Sequence, residues 1–277
     1  MNTKFGIILG VFVMLLLACK QNEVLQIELF GKSNKIEVDF KTQSHLPTTS
    51  DIDYLPKATQ YQIVYHHYFT LSYNEAAEQA EWVAYSLKKH YVKNSDFKRP
   101  FFIEDPKVLT QSADWRNYKK SGYDKGHLCP AADMEFDLDA YNDTFYTSNI
   151  SPQQPEFNSG IWNRIEQKMR FWAVKFDGLF IVTGGVLKGS KRTIGREKVV
   201  VPNYFYKIAL NHSNGNYKLI AFLVPNEKST RSIFDYVVSV DEIESLTGID
   251  FFPKLEDQIE NRLEKTVAID SWLRKKL

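Results

Sequence analysis

Two short stretches of this chain carry residue types that hydrolytic chemistry needs. The first runs Gly122-Tyr123-Asp124-Lys125-Gly126-His127-Leu128-Cys129-Pro130 and sets a histidine behind a glycine, with a carboxylate three residues before the histidine. An imidazole with an ordinary pKa of about 6.5 can take a proton from water near neutrality. The glycine lets the chain turn or approach closely just before it. The second stretch is Thr147-Ser148-Asn149-Ile150-Ser151, followed by Phe157-Asn158-Ser159-Gly160-Ile161-Trp162-Asn163-Arg164-Ile165-Glu166. Ile161, Ile165 and Met169 recur at helical spacing, which predicts a helix over 159–171. Asn158, Trp162, Glu166 and Arg170 step by four, and such steps drift by only about 40° each, so Asn158 and Glu166 are expected on one flank. An asparagine at a helix start reads either as a cap or as a carbonyl donor to a hard cation. A glutamate further along can hold a metal-bound water. Mg²⁺ keeps most of its waters and accepts few protein ligands, so one Asn and one outer Glu suffice.

The rest of the chain must position these groups. The protein has 277 residues, including 15 Tyr, 19 Phe and 5 Trp, enough for a large aromatic-rich core in one domain. Its formal net charge is +1, so a nucleic-acid partner is not announced globally and must rely on local patches. Lys88, Lys89, Lys93, Lys98 and Arg99 make one such patch; Lys188, Lys191, Arg192, Arg196 and Lys198 make another. The stretch from Gln62 to Tyr73 reads as one β-strand, and 75–86 is divided between helix and strand. Within it, His66 and His67 are adjacent and would point to opposite strand faces, which argues against a shared metal ion. Leu179–Gly185, Val199–Val201, Tyr204–Leu210 and Tyr217–Val224 read as strands, with Asn214-Gly215 a tight turn. Ser239 to Gly248 reads as a helix with a cap at each end. Cys129, between Leu128 and Pro130, reads as a small buried hydrophobe.

At the N-terminus, Lys4 precedes an apolar run too short to span a bilayer but suited to a secretory signal. It ends Leu16-Leu17-Ala18-Cys19, which resembles a bacterial lipobox. That resemblance implies removal of 1–18, lipid on Cys19 and membrane anchoring. Removing Lys4 brings the mature chain to zero net charge. Lys20 in place of Asp points to the outer membrane or cell surface. Residues 19–53 read as a tether, with a hairpin expected over 26–40, and 54–277 as the folded domain.

The motifs YDKGHLCPAADM, FYTSNISPQ and FNSGIWNRIEQKMR resemble those of the DNA/RNA non-specific endonucleases, the group that includes mitochondrial endonuclease G. VTGG, VPNYFYKIAL, AFLVPN and SVDEIESLTGIDFFPKL match in order, so the likeness runs from about Tyr54 to the C-terminus. It implies an α+β fold: a mixed, mainly antiparallel sheet flanked by helices, with a ββα-metal (His-Me finger) motif. It also implies Mg²⁺-dependent cleavage of DNA and RNA to 5′-phosphate products, with Mn²⁺ or another divalent cation as substitute, and often a homodimer. By the same resemblance His127 is the general base and Asn158 the direct metal ligand. Glu166 and Asp124 hold metal-bound waters, Asn149 orients the site through the His127 ring, and Arg170 faces the phosphate. Lys125 stands where the family usually has Arg, which keeps the charge but loses the two-pronged contact; Arg99 is a further phosphate contact. Two rival readings remain: a nucleic-acid-binding lipoprotein without turnover, and a phosphodiesterase for small nucleotides.

Overall fold

Runs of β-branched and aromatic residues build the centre of the molecule. In a computed structural model, residues 54–57 and 62–273 are described. Cys19, the signal segment and the hairpin expected over 26–40 lie outside them. In chain order the strands are β1 (Gln62–Tyr65), β2 (Phe69–Asn74), β3 (Gln79–Lys88), β4 (Asp124–His127), β5 (Ile150–Gln153), β6 (Gly178–Gly185), β7 (Thr193–Ile194), β8 (Val199–Val200), β9 (Tyr204–Ser213), β10 (Asn216–Pro225) and β11 (Val237–Val238). The α-helices are α1 (Leu138–Asp143), α2 (Asn163–Phe176), α3 (Val240–Thr247), α4 (Asp257–Lys265) and α5 (Ile269–Leu273).

Seven strands form one sheet in the order β1-β2-β3-β6-β9-β10-β11, each paired antiparallel to its neighbour. Side chains alternate across it. Val83, Tyr85, Ile181, Ala209 and Phe222 face Ile165, Met169 and Trp172 of α2. Their neighbours Trp82, Ala84, Val182, Ile208 and Leu219 face the other way, onto Val240 and Ile243 of α3 and Leu263 of α4. Because both faces are covered, the central strands read as continuous apolar runs rather than alternating ones. The expected α+β architecture, with its mainly antiparallel sheet, is the one observed.

Local signals hold where the chain is short-range. Asn214 and Gly215 take φ of 52° and 73°, the left-handed pair that a two-residue hairpin between β9 and β10 demands. The Ser239 hydroxyl caps α3 by accepting from the Glu242 N–H, and Gly248 ends it at φ 78°. Two expectations fail. The strand read from Gln62 to Tyr73 is broken at His66–Tyr68 into the β1–β2 hairpin. Residues 75–78 form a turn rather than a helix, and β3 follows directly.

Candidate active site

A small second sheet carries the first chemical stretch. β4 pairs antiparallel with β5, Asp124 opposite Gln153 and His127 opposite Ile150. Gly126 is needed there, since a β-carbon on it would collide with the buried Gln153 side chain. After β5 the chain enters a wide π-type turn, Phe157–Trp162, and then α2. The result is a ββα unit packed on the main sheet.

Lys125 and His127, two apart on β4, both meet Phe102. The Lys125 ammonium lies 5.3 Å from that ring's centre, and the His127 ring lies 5.5 Å away. Phe145 closes His127 from another side at 5.1 Å, edge-on. Burial, with the Arg99 charge second, pushes the His127 pKa down to about 3, so the ring is neutral across physiological pH. Its Nε2 is buried without a hydrogen-bond partner among the described residues. An unpaired buried polar atom costs roughly 1–3 kcal/mol, so this nitrogen adds nothing to stability as it stands. The Arg99 guanidinium sits 5.6 Å from the Phe102 ring and 5.4 Å from that of Phe145, which brings it to the same pocket.

Contrary to the sequence expectation, the hydrogen bonds of the Asn149 side chain go to backbone rather than to the His127 ring. Fully buried, Asn149 accepts from the Cys129 N–H at 2.8 Å and donates to the Cys129 carbonyl at 2.9 Å and the Thr144 carbonyl at 3.0 Å. It therefore fixes the backbone just beyond His127 and leaves the ring to its aromatic walls.

The structure brings Asp124 and Asn158 together. The Asn158 side-chain amide donates to Asp124 Oδ2 at 3.0 Å, while its carbonyl oxygen makes no hydrogen bond among the described residues. An open oxygen beside a carboxylate is a hard donor pair suited to a divalent cation. Asn158 is not on a regular helix flank, however. It lies in the π-turn, where Gly160 at φ −100°, ψ −105° breaks the helical path, so steps of four do not apply to it. It is not the cap either; Glu156 occupies that position ahead of the turn.

Glu166, Arg170 and two residues that sequence reasoning missed form the floor. Arg170 Nη1 donates to the buried Asp133 at 2.7 Å, and the Tyr85 hydroxyl donates to the other oxygen of Asp133 at 2.8 Å. Lys207 is fully buried, with its ammonium 4.9 Å from the Trp162 ring centre. Burial pushes the Glu166 pKa up to about 7, opposed by Lys207, assisted by Asp133 and opposed again by Arg170. Arg170 thus has one donor committed to Asp133. The signal for Lys207 was legible: it interrupts the apolar run Tyr204-Phe205-Tyr206-Lys207-Ile208-Ala209-Leu210.

His66 and His67 also turn out to converge, because they lie in a turn rather than a strand. His66 Nε2 bonds Asp105 at 2.9 Å, His66 Nδ1 lies 3.6 Å from Asp143, and His67 Nδ1 bonds the same Asp143 oxygen at 2.7 Å. Asp105 belongs to the segment that carries Phe102, and Asp143 to the one that leads to Phe145, so this buried network braces both walls of the His127 pocket. Burial works against charge on His66, but Asp105 and Asp143 outweigh it and raise its pKa. A raised folded-state pKa stabilises below the unfolded value and loses that stability as pH rises through the folded one. Thermal unfolding should therefore show wild type losing stability above pH 6.5 more steeply than His66→Gln; parallel profiles would exclude a charged His66.

The basic loop between β6 and β9 reaches the same side. Arg192 donates to the Tyr123 hydroxyl at 2.7 Å. A cleft of about 680 Å³ there is lined by Tyr123, Lys191, Arg192, Pro202 and Asn226, among others. Asn226 ties it to the end of β5, accepting from the Gln154 N–H at 2.8 Å and donating to the Pro152 carbonyl at 3.1 Å.

Comparison with known proteins places this arrangement. A family model described as DNA/RNA non-specific endonuclease matches residues 49–258. Human mitochondrial nuclease EXOG is 35% identical over 204 residues, 67% of this chain and 55% of that protein. The mitochondrial nuclease of Saccharomyces cerevisiae is 30% identical over 223 residues, covering 72% of this chain and 68% of its own. Human mitochondrial endonuclease G is 29% identical over 202 residues, with 68% of each chain covered. The chain spans little more than half the length of the human and Xenopus laevis EXOG proteins, 55% and 57%. Among solved structures, a chain of the EndoG/EndoGI complex superposes with a TM-score of 0.68 at 24% identity, covering 73% of this chain and 90% of that one.

Proposed function

The chain belongs to the DNA/RNA non-specific endonuclease family, and on that premise we propose that it is a divalent-cation-dependent endonuclease cutting phosphodiester bonds in DNA and RNA. One observation carries this reading: an uncharged imidazole, its Nε2 without a hydrogen-bond partner among the described residues, shares a ββα unit with an Asn158 carbonyl left open by its amide's bond to Asp124. His127 takes the proton from the attacking water. Asn158 and Asp124, with Glu166, are the oxygen donors that suit Mg²⁺. When bound, the cation supplies Lewis acidity at the phosphoryl and leaving oxygens. Lys125 and Arg99, both against Phe102, offset the charge that builds on the phosphate. Water adds to phosphorus as the P–O3′ bond breaks, so the products are a 5′-phosphate and a 3′-hydroxyl. Asn149 keeps the Cys129 backbone, and with it the end of β4, in place. A plasmid-nicking assay with Mg²⁺, with and without chelator, tests the reading; nicking that survives chelation would overturn it.

The cleft beside Tyr123 continues the path of the substrate backbone. Contacts to phosphates carry no sequence information, which fits a nuclease indifferent to bases. Lys191 and Arg192 then act as phosphate contacts. Each alanine substitution should weaken DNA binding uniformly across sequences and reduce the slope of log affinity against log salt by about 1. Fluorescence anisotropy at several salt concentrations reads this; an unchanged slope would remove the cleft from the path.

We also propose that Cys19 is lipidated and tethers the enzyme to an outer membrane or cell surface. Among the described residues no helix is long and apolar enough to cross a membrane. The lipobox-like Leu16-Leu17-Ala18-Cys19 supports this reading. Metabolic labelling with a fatty acid should mark the wild-type protein and leave Cys19→Ala unlabelled; equal labelling would refute the assignment.

A further inference from the structure

Far along the chain from the residues of the ββα unit, α3 and α4 bring together carboxylates that the nuclease reading does not use. Asp241 and Glu244, three apart on α3, share one side of that helix. Glu264 comes from the last turn of α4. One carboxylate oxygen from each of the three lies within 4.8 Å of the others. Glu264 is only 7% exposed, and its Oε1 is buried with no hydrogen-bond partner among the described residues.

The surroundings make this cluster hard to explain as a packing contact. The charged groups with the largest effect on Glu264 are carboxylates: Glu244, Glu260, Asp241 and Asp250. Lys57 reaches Asp250 at 3.9 Å, but at the exposed rim. Glu244 gives one oxygen to the Phe251 N–H at 2.8 Å, which leaves its second oxygen for another partner. Burial and these neighbours push the Glu264 pKa up to about 8. Something positive must offset the repulsion, and the candidates are a proton or a cation.

We propose that Asp241, Glu244 and Glu264 form a calcium site that clasps α3 to α4. Ca²⁺ binds oxygens at about 2.3–2.6 Å, so two of its ligands stand no more than about 5 Å apart, a limit that these oxygens, all within 4.8 Å of one another, respect. Mg²⁺ demands near-ideal octahedral geometry and keeps several waters, so a cluster of three protein carboxylates suits it less well. Asp241 and Glu244 are half-buried rather than sealed, which leaves room for the waters that complete a calcium shell. A proton would join only two of the three carboxyl groups and leave the third repelled. The site is structural: it holds two short helices against the back of the sheet.

The test is thermal unfolding of the chelator-treated protein with and without millimolar CaCl₂. At saturation well above Kd, wild type should gain roughly 5 °C or more in Tm. Asn158→Ala, which weakens the nuclease centre, should keep that gain. Glu264→Gln and Asp241→Asn should lose it, and the second variant stands if the first fails to fold. Equal gains in the Glu264 and Asp241 variants, or a gain lost in Asn158→Ala, would overturn the proposal. So would a wild-type Tm that ignores calcium and falls as pH rises through 8, because a proton on Glu264 would then be the neutralising charge.

Discussion

His127→Ala should nick plasmid DNA about 10²–10⁴-fold more slowly than wild type, the span that a positioned general base contributes. The loss should fall on the maximal rate, while the Mg²⁺ concentration for half-maximal rate stays where it is, because Asn158 and Asp124 are untouched. Residual activity near the wild-type rate would sink the assignment. The pH profile separates His127 from its neighbours. With its pKa held at about 3 by burial and by Arg99, the ring stays an available base far below neutrality. The sequence alone suggests an acid limb near the ordinary histidine value; the structure moves that limb away from His127. Glu166, pushed up to about 7 by burial, takes a proton well before His127 does on acidification. Cleavage should therefore fall below about pH 7 as Glu166 is neutralised, and a bound cation shifts that limb lower still. In Glu166→Gln the remaining slow rate should lose this limb. If the limb persists unchanged in Glu166→Gln, another group controls it.

What the sequence disclosed and what it hid follow from the range of the interactions involved. β6, β9 and β10 were legible because both faces are buried and the residues say so locally. The Asn214-Gly215 turn and the Ser239 and Gly248 caps depend on neighbours a few positions away. The residues expected to do chemistry stood out as a set through the resemblance of their motifs, but their contacts were not legible. His66 breaks a run of good β-formers because it turns toward Asp105 and Asp143, partners distant in the chain. Asn149 was expected at the His127 ring, yet a fully buried amide meets its bonding needs best on the backbone of Cys129 and Thr144. Helical arithmetic placed Asn158 on the flank of Glu166; Gly160 breaks that helix, and the π-turn delivers Asn158 to Asp124 instead. Lys207 announced itself as a lysine in an apolar strand, but only the fold shows that it acts on Glu166.

Asn158→Ala should be as damaging as the loss of His127, by a different route. Losing even an outer partner of a metal ligand costs roughly 10–100-fold, so losing the ligand itself should cost at least ~10²-fold at limiting Mg²⁺. The half-maximal Mg²⁺ concentration should rise sharply, which is the opposite signature to His127→Ala. Two contacts are lost at once: the carbonyl oxygen offered to the cation and the amide that holds Asp124 at 3.0 Å. Asn158→Asp separates them. It restores a hard oxygen but sets two carboxylates side by side, and like charges so close keep one of them protonated. Its activity should therefore recover only in part at neutral pH and climb further as pH rises, while Asn158→Ala stays flat. Initial rates across a Mg²⁺ titration at several pH values read all three variants together. A wild-type Mg²⁺ midpoint in Asn158→Ala would remove Asn158 from the metal site and leave Asp124 and Glu166 as its only donors.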